Sequence, residues 1–170
     1  MREDQIIRYG RQILLRDVGG RGQERLLAAP IRVLGGGADS DDAIAWLLAG
    51  GTPIELPAGV MLTGGYLDGL TLERPQQPAV AELVPRGFDS GAPLQVVLGA
   101  GVAFRSAGAC QRCWETVRSS LNGLPTGGPL GALAALTLQR LVLGWADPMG
   151  IVHWDGERLK PGPIPVCPHR

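Results

Sequence analysis

The sequence predicts an α/β domain with a parallel sheet, and three observations near the start of the chain support this. The apolar run at 31–34 is typical of a short buried strand, and three glycines at 35–37 follow it. The residues at 39–49 then repeat apolar positions with helical spacing. A second strand is predicted at 53–56. Because a strand, a helix and a strand in this order join parallel neighbours, a parallel sheet is expected.

Two helices are predicted before the first strand. Apolar residues at heptad-like spacing indicate an amphipathic helix at 3–16; they are Ile6, Ile7, Ile13 and Leu14. Gly19 and Gly20 end that helix, and a second, short helix is predicted from Gln23 to Ala29. Pro30 stops the second helix directly before the strand.

The segment 57–93 differs from its surroundings because it holds five prolines and no long periodic run. Short strands or loops are predicted there. After it, the segment 94–104 predicts two strands that meet between Gly99 and Gly101.

The C-terminal part of the chain predicts two helices and a hairpin. One helix starts near Cys110 and continues through Leu121, and a second helix, apolar on most sides, covers 129–144. A helix of that kind is buried in a core or in a subunit interface. A strand at 151–154 is followed by the turn pair Asp155 and Gly156, and then by a proline-rich tail.

Composition bounds the class of protein. The 170 residues fit one domain, 1–170, and 45% hydrophobic with 19% charged residues is a globular composition. The net charge is zero and the basic residues are scattered, so no nucleic-acid partner is expected. No apolar run reaches the ~20 residues that span a bilayer, and the polar N-terminus is unlike a signal peptide. We therefore expect no membrane partner, and we expect the protein to be cytoplasmic.

The three cysteines are unevenly spaced. Cys110 and Cys113 form a CxxC pair, and Cys167 lies near the end of the chain. An odd count with one tight pair fits a reducing compartment and a metal site better than a disulfide framework.

Three local patterns follow one another along the chain. The first is Arg8-Tyr9-Gly10-Arg11-Gln12, followed by Gly22-Gln23 and then the strand with its glycines. The second is Cys110-Gln111-Arg112-Cys113, and the third is the apolar helix 129–144 with the terminal Cys167-Pro168-His169. In this order they resemble the ThiF/MoeB/HesA adenylyltransferases, the bacterial relatives of ubiquitin-activating enzymes. These patterns cover roughly 1–56 and 94–170, so the fold expected is a Rossmann-like sheet of the ThiF/MoeB type, shortened in its middle at 57–93. The resemblance also implies a homodimer.

The resemblance further implies one zinc ion shared by the CxxC pair and the tail. The tail of such enzymes supplies a second CxxC, whereas this chain ends in Arg170, and His169 is the nearest substitute. The predicted ligands are Cys110, Cys113, Cys167 and His169, a set that structural zinc accepts. Two alternatives stay open: thiols without a metal, and a redox CxxC whose Cys110 is activated near a helix start.

The glycine turn departs from the family pattern. In such enzymes this turn opens a helix whose backbone N–H groups meet the phosphates of ATP. Here Asp39, Asp41 and Asp42 occupy the first helical turn, and Ser40, a good N-cap residue, replaces the third glycine. Carboxylates there stabilise the helix and repel a triphosphate, so a plain tight turn is the favoured interpretation.

The middle of the chain departs from the family pattern as well. The family has an acidic residue for the ribose after the second strand, where this chain has Leu56-Pro57-Ala58-Gly59. The 57–93 segment holds no lysine, and Lys160 is the only lysine in the protein. Asp68 and Asp89 remain without a recognisable magnesium-binding context. Because phosphoryl chemistry depends on neutralising the phosphate charges, ATP and Mg²⁺ are not expected as cofactors.

These observations predict a pseudoenzyme: a catalytically degenerate ThiF/MoeB-like protein with no catalytic residues, which binds a partner. The partner would be a ubiquitin-like or sulfur-carrier protein, a peptide substrate or an active homologue. One alternative is a minimal adenylyltransferase active only in an oligomer. In that case Gly35, Gly37 and Arg11 would bind the nucleotide. Arg8 and Arg11 match arginines that such enzymes offer to the nucleotide of the partner subunit. The competing interpretation is that both arginines form ordinary salt bridges on the helix surface. A second alternative is a small-molecule binding protein that uses the glycine turn.

Overall fold

The computed structural model describes residues 1–58, 75, 77–88, 90–124, 129–162, 164 and 168 of the chain. Within these residues the helices are α1 Glu3–Ile13, α2 Gly19–Leu27, α3 Ala38–Ala49, α4 Gln111–Ser120 and α5 Leu130–Leu143. The strands are β1 Ile31–Val33, β2 Ile54–Glu55, β3 Ala81–Pro85, β4 Gln95–Leu98, β5 Val102–Arg105, β6 Met149–Trp154 and β7 Leu159–Pro161. The predicted α/β class is confirmed, and its mixed sheet is consistent with a Rossmann-like fold.

All seven strands form one sheet in the order β2-β1-β3-β4-β5-β6-β7. The first four strands in this order are parallel, and β5, β6 and β7 continue the sheet in antiparallel fashion. The predicted parallel sheet is therefore confirmed for the β-α-β part, and three antiparallel strands extend it. The glycine-rich segment 99–101 joins β4 to the first of them, β5, as predicted.

Strand β3 lies in the interior of the sheet and belongs to the segment 57–93, for which short strands or loops are predicted. Its residues pair with β1 on one side and with β4 on the other. Four of its five residues are buried, and Pro85 ends it. Burial on both faces explains why the run Ala81-Glu82-Leu83-Val84 shows no alternation, which is the usual signature of a half-buried strand.

Helices cover both faces of the sheet. Helices α3 and α5 pack together on one face, over a core that includes Ile31, Leu83 and Val96. Helix α4 covers the other face, where Trp114 is wholly buried against β4, β5 and β6. The described residues thus form a layered α/β structure with one core on each side of the strands.

The first two helices differ in detail from their predictions. Helix α1 is amphipathic as expected, but Ile7 is 78% exposed and Leu14, just beyond the helix, is 85% exposed. Tyr9, on the opposite side, is the residue of α1 that is buried. Helix α2 begins at Gly19 rather than at Gln23, since contacts with α1 and α5 override the low helix propensity of the two glycines.

Charged residues are also held within the sheet. Arg32 of β1 lies in register with Glu55 of β2 and with Glu82 of β3. Its guanidinium contacts Glu55 Oε1 at 3.0 Å and Glu82 Oε1 at 3.3 Å. The hydrogen bond and charge of Glu55, with a smaller contribution from Glu82, raise the pKa of Arg32 above its usual value. This cross-strand triad links the edge strand β2 through β1 to β3.

Among the described helices none is both long enough and apolar enough to cross a lipid bilayer.

Candidate functional site

A small cavity lies at the carboxyl ends of β1, β3 and β4. Its volume is about 210 Å³, and the described residues that line it are Gly36, Gly37, Ala38, Asp39, Ser40, Pro85, Leu98 and Gly99. Strand β1 has β2 on one side and β3 on the other, so the strand order reverses at β1: the chain passes from β1 to β2 on one side and then from β2 to β3 on the other. Ligands of open α/β sheets bind at such a topological switch point, which makes this cavity the candidate site.

Gly35 and Gly37 of the glycine turn have different structural roles. Gly37 is the N-cap residue of α3 and has φ of +117°, a backbone conformation that favours glycine. A Cβ atom on Gly35 would lie 3.1 Å from three ring carbons of Pro85, so Gly35 allows β3 to end beside β1. Gly37 therefore borders the cavity and Gly35 packs against a strand. Ser40, which the sequence favours as the N-cap, lies inside the first turn of α3 instead, because the helix starts two residues earlier, at Ala38.

The three aspartates near the start of α3 do not all face the cavity. Asp39 is exposed and lines it. Asp41 is wholly buried, one turn before the buried Ile44, and Asp42 lies beside Gly131 of α5. Of the three carboxylates predicted to occupy the phosphate position, Asp39 alone is among the described residues that line the cavity.

The described residues that line this cavity include no lysine, arginine or histidine. Lys160, the only lysine, lies on the edge strand β7, four strands away from β3, and forms an ion pair with Asp155. That ion pair, together with hydrogen bonds from the backbone of Arg158 and Glu157, holds the pKa of Asp155 well below its usual range. Lys160 is therefore part of the β6–β7 hairpin and lies away from the glycine turn.

Arg11, predicted to bind a nucleotide if one binds, lies at the other end of α3. The neighbouring Gln12 donates a hydrogen bond from Nε2 to the carbonyl oxygen of Ala49, the last residue of α3, at 3.3 Å. Since α3 has 12 residues, its two ends are about 18 Å apart. Within one chain the structure does not bring Arg11 together with Gly35 and Gly37.

The motif residues that carry the family resemblance at the N-terminus have a structural role at this same end of α3. Gln23 is wholly buried and donates a hydrogen bond from Nε2 to the carbonyl oxygen of Gly50 at 3.0 Å. Gly51 has φ of +84°, and a Cβ atom there would lie 2.8 Å from Cζ of Tyr9. Tyr9, Gln12 and Gln23 thus dock α1 and α2 on the carbonyl end of α3, whose last carbonyls lack partners within the helix.

The two cysteines of the CxxC pair lie at the start of α4. Cys110 is the N-cap residue and is half-buried, while Cys113 is buried in the core beneath the helix. Cys167 and His169 lie outside the described residues, and within the described part of the chain no three His, Cys, Asp or Glu side chains cluster as metal ligands. The zinc site stays a prediction.

A larger groove runs between α3 and α5 and was not foreseen from the sequence. Its volume is about 520 Å³, and its apolar lining includes Leu15, Trp46, Ala132, Ala135, Leu136 and Trp145. We call it the α3–α5 groove. The sequence signal was present in Trp46, the one aromatic residue within 39–49, but only the pairing of α3 with α5 shows which residues join it.

Comparisons by sequence find no relative: no family model matches the chain, and no curated protein matches it. Comparison of structures does find similar folds. The crystal structure of Escherichia coli MccB with AMPCPP and MccA aligns with a TM-score of 0.58 at 12% identity, over 95% of this chain and 72% of that one. MccB with ATP aligns with a TM-score of 0.56 at 12% identity, over 95% and 73%. PaaA aligns with a TM-score of 0.57 at 14% identity, over 96% and 75%.

MccB and PaaA have ThiF/MoeB-like adenylyltransferase folds, and the described part of this chain is similar to them in fold. At such low identity the similarity shows the fold alone. What the chain does must be argued from its own residues.

Proposed function

We propose that this chain is a catalytically degenerate ThiF/MoeB-like protein that binds a protein or peptide partner and does not adenylate it. The observation that supports the proposal is the lining of the glycine-turn cavity. Asp39 is the charged residue there among the described residues, in the place where the backbone amides of a helix N-terminus would otherwise face phosphates. A carboxylate at this position repels a triphosphate.

The size of the cavity supports the same conclusion. Sites for drug-sized ligands have volumes of about 300–1,000 Å³, whereas this cavity has about 210 Å³. Arg11 lies at the far end of α3, and Lys160 is held in the β6–β7 hairpin. Arg86 follows Pro85 and lies beside Gly99, but its Nε donates a hydrogen bond to Oδ1 of Asn122 at 2.8 Å, and it is not among the described residues that line the cavity.

The partner is proposed by analogy with the structural neighbours. MccB is crystallised with MccA, and the folds match over most of this chain. The candidates are a ubiquitin-like or sulfur-carrier protein, a peptide, or an active homologue. MccB is also crystallised with ATP, which favours the minimal adenylyltransferase as the alternative function. The zinc ion shared by Cys110, Cys113, Cys167 and His169 is proposed as a structural element of the same protein.

The experiment is purification of the tagged chain from its own cells, followed by identification of stoichiometric partners. Each candidate is then produced separately and titrated against the pure chain in the presence and absence of Mg-ATP. The proposal predicts saturable binding that does not depend on Mg-ATP, without transfer of AMP to the partner. Adenylation of the partner by the chain alone would contradict it.

A further inference from the structure

A further cavity lies between α5 and the antiparallel strands β5, β6 and β7. Its volume is about 260 Å³, and the described residues that line it are mostly apolar. It shares no described lining residue with the glycine-turn cavity, whereas Leu136 and Arg140 also line the α3–α5 groove. The cavity is therefore a separate place on the molecule.

The inner wall of this cavity is built from buried apolar side chains. Phe104 of β5 lies opposite Gly150 of β6 in the sheet, and a Cβ atom on Gly150 would lie 2.6 Å from Cζ of Phe104. The glycine thus leaves room for the aromatic ring over β6. Leu133 is buried on the facing side of α5, while Leu136 and Leu159 are about half exposed at the opening. Since an apolar cavity of about 150 Å³ accommodates a benzene molecule, this one has room for a branched aliphatic or an aromatic side chain.

Two opposite charges line the same cavity. They belong to Arg140 and Asp147, which are both exposed, and neither forms an ion pair with another described residue. Nη2 of Arg140 donates a hydrogen bond to the carbonyl oxygen of Trp145 at 3.3 Å. Asp147 follows Trp145 by two residues, which span at most about 7 Å. The guanidinium and the carboxylate are therefore neighbours that do not neutralise each other.

The backbone holds both charged residues in place. The N–H of Trp145 donates a hydrogen bond to the carbonyl oxygen of Arg140 at 2.8 Å in the turn that ends α5. Ser106, which follows β5, donates two hydrogen bonds to the carbonyl oxygen of Pro148, from its N–H at 2.7 Å and from Oγ at 3.2 Å. Asp147 lies between these two fixed points. Groups that are already placed lose less conformational entropy when a ligand binds.

We propose that this cavity binds a free α-amino acid with an apolar side chain. The side chain lies between Phe104 and α5, Arg140 binds the α-carboxylate, and Asp147 binds the α-ammonium group. A guanidinium has five N–H donors, and the hydrogen bond to Trp145 takes one, so a pair remains for a carboxylate. Two unpaired opposite charges at the opening of an apolar cavity match a zwitterion on an apolar side chain. The cavity is smaller than the about 300–1,000 Å³ of drug-sized sites, as a single amino acid requires.

Calorimetric titration and ligand-observed NMR with L-leucine and L-phenylalanine test the proposal. At least one of the two amino acids should bind saturably. Each is compared with two analogues that lack one charge. L-leucinamide and L-phenylalaninamide lack the carboxylate and stand for the first residue of a peptide, whereas 4-methylpentanoate and 3-phenylpropanoate lack the ammonium group. Each analogue should bind about tenfold more weakly than its parent, because it loses one charge-assisted contact.

Charge-removing variants show which side chain recognises which group. Arg140→Gln and Asp147→Asn should each weaken binding of the amino acid about tenfold. Arg140→Gln should no longer distinguish the amino acid from its amide, and Asp147→Asn should no longer distinguish it from the analogue without the ammonium group. A folding defect would not produce this exchange of preferences. Arg25→Gln and Asp17→Asn remove the same charges from exposed positions that are not among the described lining residues, and they should leave the dissociation constant unchanged.

Absence of saturable binding by either amino acid at millimolar concentration would overturn the inference. Analogues that bind as tightly as their parent would do the same, and so would an amide that binds more tightly than the free amino acid, which would indicate a peptide terminus instead. An unchanged affinity in Arg140→Gln or Asp147→Asn would remove the assigned contacts. None of these results bears on partner binding, since the proposed function does not depend on this cavity.

Discussion

Nε2 of Gln23 donates a hydrogen bond to the carbonyl oxygen of Gly50 across 3.0 Å, and the side chain of Gln23 is wholly buried. This contact fixes α2 to the residue that follows α3. Because α3 starts at the glycine turn, the N-terminal motif helps to hold the helix that borders the candidate site.

Replacement of Gln23 by alanine should lower the free energy of unfolding by about 2–3 kcal/mol. The substitution leaves the carbonyl of Gly50 without its partner in a buried place and opens a small void. Denaturant unfolding measures this. Gln12→Ala is the control, since its hydrogen bond to Ala49 is longer and more exposed, and about 0.5–1 kcal/mol is expected. Equal losses for both variants would contradict the structural role given to Gln23.

Gly131 should tolerate no side chain. A Cβ atom there would collide with Cβ of Asp42 and with the carbonyl oxygen of Asp39, so Gly131→Ala should push α5 away from α3 and cost about 1–3 kcal/mol. Gly10→Ala is the matched control, because no atom lies within 4 Å of the new Cβ. In helix α1 that change should stabilise the protein by about 0.5–1 kcal/mol. Thermal unfolding measures both effects: the melting temperature should fall for Gly131→Ala and rise for Gly10→Ala. An unchanged or higher melting temperature for Gly131→Ala would contradict the prediction.

The purified chain should contain about one zinc ion per molecule, as measured by elemental analysis. Cys113→Ser and His169→Ala should both lose the metal, since each removes one of four predicted ligands. His153→Ala serves as the control, because it removes the other histidine of the chain and should retain the zinc. Metal-free wild-type protein, or zinc retained in Cys113→Ser, would contradict the zinc site. The thiols would then be either free of metal or a redox pair.

The β6–β7 hairpin should depend on the charge of Asp155. Its pKa is lowered by Lys160 and two backbone N–H groups, so the carboxylate stabilises the fold above the unfolded pKa of about 3.9 and loses this effect as the pH falls further. Asp155→Asn should therefore lower the melting temperature near pH 7, and the difference from wild type should shrink below about pH 4. Asp17→Asn, at an exposed carboxylate without an ion pair among the described residues, should show no such difference. A gap between Asp155→Asn and wild type that does not change with pH would contradict the prediction.

Local patterns predicted much of the fold. The strand at 31–34, the helices at 39–49 and 129–144 and the paired strands around Gly99–Gly101 all form as expected, because each is set by its own periodicity or turn residues. Strand β3 could not be placed between β1 and β4 from its sequence, since its position depends on pairing with both of them.

The candidate site was predictable only in part. The glycine turn and Asp39 follow directly from the sequence, whereas Pro85, Leu98 and Gly99 reach the cavity through strand pairing. The burial of Asp41 depends on which side of α3 faces the sheet. The exposure of Ile7 and Leu14 could not be predicted either, because their apolar spacing is that of a helix that faces a core, whereas both side chains are exposed.

The central claim is that Asp39 and the small uncharged residues around it leave no place for a triphosphate. Calorimetric titration of the pure protein with Mg-ATP tests this claim, together with an assay of ATP–pyrophosphate exchange. We predict no heat beyond dilution and no exchange. Saturable binding of Mg-ATP that Gly37→Val abolishes, or exchange by the chain alone, would contradict the account.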